Sequence, residues 1–179
     1  MNKEDIITAL KEAVVPDEEC YINSEIIDAM LEYPDSFQFV KPILEIISQN
    51  PSVDFGSPGE LVHFVEKFYK KGYEEALIES VKKNPTFHNI WMIHRCYNDA
   101  SCTFHNDFLS LINEIKENPS TSADIKKAIE MFNWYLFNKK SWSRQMPIPR
   151  FFDLSNHYIY NLLWNINFFS YCSFKLSGF

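Results

Sequence analysis

Ser57-Pro58-Gly59-Glu60-Leu61-Val62-His63-Phe64-Val65-Glu66-Lys67-Phe68-Tyr69-Lys70-Lys71-Gly72-Tyr73 is the stretch that decides the fold class. A capping serine, a proline at the first helical position and a glutamate three residues after the cap predict a helix start at Ser57. Leu61, Val62, Phe64, Val65, Phe68 and Tyr69 then recur at the spacing of one helical face, and Gly72 offers a left-handed end behind Lys70 and Lys71. A second helix, Tyr73 to Lys83, follows almost without a loop and presents Ala76, Leu77 and Val81. So short a connection makes the two helices antiparallel neighbours.

The same pattern extends in both directions. Asp5 to Val15 carries Ile6, Ile7, Leu10 and Val14 on one stripe and stops at Pro16; Ser24 caps a helix bearing Ile26, Ile27, Met30 and Leu31, which Tyr33-Pro34 ends. Ser36 to Gln49 turns Phe37, Val40, Ile43, Leu44 and Ile47 inward before Asn50-Pro51. Beyond the centre, Asn84-Pro85-Thr86 breaks and recaps the chain for a helix with Ile90, Trp91, Ile93, His94 and Tyr97. Phe104 to Glu117 follows, and Thr121 with Asp124 opens a last helix through Ile125, Ala128, Ile129, Phe132 and Leu136. Only four of the 179 residues are glycine, so the positive-φ turns of hairpins and phosphate loops have little material. The expected fold is all-α: an irregular stack of antiparallel helical hairpins, HEAT- or armadillo-like or a compact bundle, with no repeat of fixed length.

Residues 1–137 form the expected helical domain, and residues 138–179 differ from them in composition. That last segment holds 11 of the 29 aromatic residues, and Tyr158, Leu162, Asn165 and Phe169 are spaced to close the end of the stack within the same domain. Leu154 to Phe174 runs 21 residues without a charge, but Asn156, Asn161, Asn165 and Asn167 make membrane insertion costly, so no membrane role is expected.

Seventeen basic and 24 acidic residues give a net charge of −7. Lys139, Lys140, Arg144, Arg150 and Lys175 against Asp153 leave residues 138–179 at +4 and residues 1–137 at −11. Such an acidic body disfavours direct nucleic-acid binding and steers a cationic protein toward it. No Gly-x-Gly-x-x-Gly, P-loop or Gly-x-Ser-x-Gly motif occurs, so no cofactor and no catalytic residue is assigned and an enzyme is not expected. Met1-Asn2-Lys3-Glu4-Asp5 precedes no secretory apolar run, which makes the cytoplasm the expected compartment and Cys20, Cys96, Cys102 and Cys172 free, mostly buried thiols.

Two constellations invite a metal. His94, Cys96, Cys102 and His105 have zinc-compatible donors, but His94 and Cys96 diverge by about 200° on a helix. Glu60-x-x-His63 is half of a di-iron pattern without its second copy; Glu60 serves as the capping-box residue, and His63 reads as a core histidine partnered by Glu66. Metal ligands are therefore not assigned, and a metal-dependent enzyme remains the weaker alternative beside a helical-repeat adaptor.

Gly56-Ser57-Pro58-Gly59-Glu60-Leu61-Val62-His63-Phe64-Val65-Glu66-Lys67-Phe68-Tyr69, followed by Asn84-Pro85-Thr86-x-x-Asn89-Ile90-Trp91-Met92-Ile93-His94-Arg95-Cys96-Tyr97-Asn98, resembles a family of helical bacterial immunity proteins. Those proteins are encoded beside polymorphic or contact-dependent growth-inhibition toxins. The resemblance spans about residues 20–135 and rests on a Gly-x-Pro-Gly turn before an apolar helix with His and Glu, then Pro-Thr and a Trp-bearing helix. It implies an antitoxin that neutralises one cognate toxin domain, often a nuclease, by covering its active site or holding it inactive. The shared residues belong to scaffold. Charge alone nominates Glu18, Glu19, Glu74, Glu75 and Glu79 as the toxin-binding residues, because they cluster in sequence and are expected to face water.

Overall fold

The computed structural model describes residues 1–16 and 18–134, and among them every regular element is helical. Eight α-helices succeed one another: α1 (Lys3–Glu12), α2 (Ser24–Leu31), α3 (Val40–Gln49), α4 (Glu60–Glu66), α5 (Tyr73–Lys83), α6 (Phe87–Tyr97), α7 (His105–Glu117) and α8 (Ala123–Met131). A 3-10 turn, Ser36–Phe39, leads into α3, so the single helix expected from Ser36 to Gln49 is in fact two pieces. The all-α expectation holds. The reading of residues 138–179 lies outside the described residues.

α3, α5 and α6 form the centre, each packed against the other two. α1 joins α3 from one side and carries α2, which also meets the 3-10 turn; α7 and α8 pair with each other and close on α6. Burial explains the arrangement. α6 buries Ile90, Trp91, Met92, Ile93, His94, Cys96 and Tyr97, nearly its whole circumference, as a helix must when neighbours surround it. α3 contributes Val40, Ile43, Leu44, Ile46 and Ile47 from its packed side.

Caps mark the ends. Asn2 and Asp5 exchange backbone and side-chain hydrogen bonds at the start of α1, Asn23 rather than Ser24 caps α2, and Thr86 and Asn89 form the reciprocal pair opening α6. Ser122 rather than Thr121 caps α8.

The deciding stretch begins its helix later than its motif predicts. α4 starts at Glu60 with Gly59 as a cap that makes no side-chain bond, so Ser57 and Pro58 stay outside and Glu60 is no capping-box residue. The chain doubles back there: Gly56 has φ +79°, and a Cβ on Gly59 would lie 1.7 Å from the Phe55 carbonyl oxygen. At the far end, Lys70 takes the left-handed conformation at φ 61° while Gly72, at φ +103° under the Phe37 ring, opens α5.

Tyr73 is fully buried, and its hydroxyl meets no better partner among the described residues than the weakly bonding Cys96 thiol. Tyr73→Phe removes a desolvated hydroxyl without changing shape, so the thermal midpoint is expected to stay level or rise, by up to about 1 kcal/mol of stability. A clear fall in a thermal melt would contradict this account of the position.

Candidate functional site

The loop that follows α1 is tied to the loop before α4: the Cys20 N–H donates to the Asp54 carbonyl at 2.7 Å and the Asp54 N–H to the Glu18 carbonyl at 3.1 Å. An isolated parallel bridge, Glu19 with Asp54, is the result. This pairing fixes Glu18 and Glu19 on the surface, where both are exposed.

Residues 12–40 contain eight acids and no lysine or arginine. Seven are described, namely Glu12, Glu18, Glu19, Glu25, Asp28, Glu32 and Asp35; all are exposed, and none forms an ion pair among the described residues. Glu25, Asp28 and Glu32 lie three, four and seven residues apart and so share the outer face of α2. Of the fifteen other described acids five form ion pairs with lysine or arginine: Glu45 with Lys83 at 3.2 Å, Glu79 with Lys41 at 2.6 Å, Glu130 with Lys116 at 3.1 Å, Asp99 with Lys70 at 3.6 Å and Glu66 with Arg95 at 2.6 Å. Residues 12–40 are the longest run of the described chain with acids and no basic residue of its own, and the field of this α1–α2 edge extends about 8–10 Å at physiological ionic strength.

The five nominated glutamates fare differently. Glu18 and Glu19 sit on this edge, while Glu75 and Glu79 are exposed on α5 with Glu79 held by Lys41. Glu74 does not face water. It is 1% exposed, and both carboxylate oxygens accept the Lys70 N–H, at 2.9 and 3.0 Å. Its place near the start of α5 lets it reach back to the left-handed turn before Gly72, where a backbone donor needs an acceptor.

His63 is likewise corrected. Leu61, Val62, Phe64 and Val65 face inward, which leaves position 63 on the outer side of α4; its ring is 61% exposed, with Nδ1 3.9 Å from Glu66. Glu66 instead serves Arg95, whose Nε and Nη2 donate to its two oxygens at 2.6 and 3.0 Å. The guanidinium also lies 5.0 Å from the Trp91 ring centre. Twenty-nine residues separate the two partners, and no local pattern announces the pair.

The four residues of the zinc-compatible set are spent on packing. His94 donates through Nε2 to the Asn133 carbonyl at 3.0 Å and stacks on Phe132 with centroids 4.8 Å apart; His105 Nε2 donates to the Tyr97 carbonyl at 2.9 Å. Cys96 and Cys102 are buried free thiols, and burial, then the nearby Glu66, pushes the Cys96 thiol well above its ordinary value. A thiol so placed is a poor nucleophile. Among the described residues no group of three or more His, Cys, Asp or Glu side chains converges on a metal position.

A further polar cluster escaped the sequence reading. Lys70 Nζ donates to Ser101 Oγ at 2.7 Å, Ser101 Oγ donates to Asp99 at 2.8 Å, and the Tyr69 hydroxyl donates to Asp99 at 3.0 Å. A serine between a lysine and a carboxylate suggests acyl-transfer chemistry, but the electrostatics oppose it. Burial alone would raise Asp99; hydrogen bonds from the Ser101 N–H, the Ser101 hydroxyl and Tyr69, with Lys70 close by, outweigh it and hold the carboxyl below its ordinary range. So stabilised an anion is a weak base. The cluster's work is to fasten the turn after α4 to the α6–α7 loop.

A shallow groove of about 490 Å³ lies where the ends of α5 and α7 meet the start of α8, bounded by Lys82, Asn84, Glu114, Asn118 and Ser122. Asn84 is bonded to the Ser48 carbonyl and Ser122 caps α8, so these polar groups already serve the fold. No helix among the described residues is long and apolar enough to cross a membrane. The chain matches no protein-family model, no curated protein and no solved structure.

Proposed function

We propose that this chain is a non-enzymatic immunity protein that binds one toxin domain with a basic surface, a nuclease by the resemblance described above, and blocks its active site in the cytoplasm. The observation that carries the reading is the concentration of exposed, unpaired acids along the α1–α2 edge. A nuclease must gather phosphates in a cationic cleft, and a rigid row of carboxylates competes for that cleft while accelerating encounter. The other polar clusters support a binding role by being committed to structure: Glu66, Arg95, Glu74, Asp99, His94 and His105 use their bonding groups to hold turns, loops and neighbouring helices in place.

The contact surface assigned to the toxin accordingly moves. Glu18 and Glu19 are retained, Glu25, Asp28 and Glu32 join them, and Glu74 leaves because it is enclosed. Co-expression with the protein encoded immediately upstream tests the reading. Rescued growth and co-purification of the two chains are expected; undiminished toxicity with no complex would overturn it.

A further inference from the structure

The α1–α2 edge carries more than charge. Six large hydrophobic side chains are exposed among the described residues, and Val15, Tyr21 and Leu31 of this edge are three of them. Tyr21 is the most open, at 80%. Its exposure is built in by the backbone. Cys20 is tied to Asp54, Ile22 is 2% exposed in the core, and Asn23 caps α2 by accepting the Glu25 N–H at 2.9 Å. Neighbours in an extended segment point to opposite sides, so with Ile22 inward Tyr21 must point out. The chain is anchored on both sides of the ring, which limits the backbone freedom left to lose when a partner covers it.

From this arrangement, and resting on the proposed immunity role, we infer that Tyr21 is the apolar anchor of a protein-docking surface that continues along the acidic face of α2 toward Leu31 at the helix's far end. The occupant is a folded, positively charged protein domain that offers an apolar socket ringed by lysine or arginine. Charge complementarity selects this occupant over the others. Glu18, Glu19, Glu25, Asp28 and Glu32 repel nucleic-acid phosphates and anionic lipid headgroups, and a second copy of this chain meeting the same face would bring like charge against like. An exposed tyrosine framed by charges of one sign has the composition of an interface hot spot with its rim.

The two components should separate in kinetics. Binding of the full chain to the immobilised, catalytically inactivated protein encoded immediately upstream is measured at low and high salt for wild type, Tyr21→Ala, the double variant Glu25→Lys/Asp28→Lys, and Glu114→Lys on α7. Tyr21→Ala is expected to raise the dissociation rate roughly tenfold or more while leaving association nearly unchanged. The double variant is expected to slow association roughly tenfold at low salt and little at high salt. Glu114→Lys should alter neither, and iodination of Tyr21 should slow in the complex. Wild-type binding with unchanged rates for Tyr21→Ala and unslowed iodination would overturn the anchor but leave the immunity role standing. Failure of the wild type to bind would overturn both. Unchanged thermal melts confirm that the variants are folded.

Discussion

Glu66→Ala is expected to lower stability by about 3–5 kcal/mol, read as a shift of the urea unfolding midpoint at unchanged slope. The side chains of Arg95 and Glu66 are only 9% and 12% exposed, and the fork of two short hydrogen bonds joins α4 to the central α6. Removing the carboxylate leaves the guanidinium desolvated without the anion that balances it, and that penalty exceeds the modest net worth of the intact pair. The comparison is Glu79→Ala, which breaks a pair of 2.6 Å whose members are 64% and 66% exposed and should cost less than about 1 kcal/mol. Equal effects of the two substitutions would show that burial does not govern these pairs.

Acid should begin to destabilise the protein above the pH at which its carboxylates are protonated. His88 and His94 are lowered from 6.5 to about 4, both chiefly by burial; Asp54 partly offsets this at His88, Arg95 adds to it, and the Asn133 carbonyl partly offsets it at His94. His88 lies between the Phe55 and Trp91 rings, and its Nε2 is buried without a hydrogen-bond partner among the described residues. The folded values lie below the unfolded value, so as pH falls through 6.5 the unfolded chain takes up protons that the folded chain refuses. Stability is therefore complete above about pH 6.5 and declines until about pH 4, by about 2 kcal/mol per histidine between pH 7 and pH 5. Urea midpoints across that range measure it. His94→Phe keeps an aromatic against Phe132 and removes one titration, so its decline should be shallower; a wild-type midpoint that is flat from pH 7 to pH 5 would contradict the assignment.

Local chemistry was readable in the chain, and long-range pairing was not. Thr86 after Asn84-Pro85 announced the start of α6 because a cap and its bonding partner lie within one turn. The proline motif at Ser57 misplaced the start of α4, since the tight fold of Gly56 and Gly59 against Phe55 overrides the capping preference. Glu74 followed by Glu75 reads as a solvated face when helical exposure is assumed uniform, but the first turn of α5 folds one of the two against the Lys70 backbone. An acidic residue four positions after a lysine that ends a helical run is the signal that could have found it. Arg95 with Glu66 and Tyr69 with Asp99 needed the packing of α4 on its neighbours, which no spacing encodes. The acidic edge was visible as composition, while the outward Tyr21 became visible only once Ile22 and Asp54 had their places.

Inhibition measured directly tests the central claim. The purified product of the upstream gene is assayed for its toxic activity, nuclease activity first, while purified chain is added stepwise. Activity should fall in proportion and vanish at one equivalent, with the rate of inhibition slowed by salt. Full activity in the presence of excess chain would contradict the account.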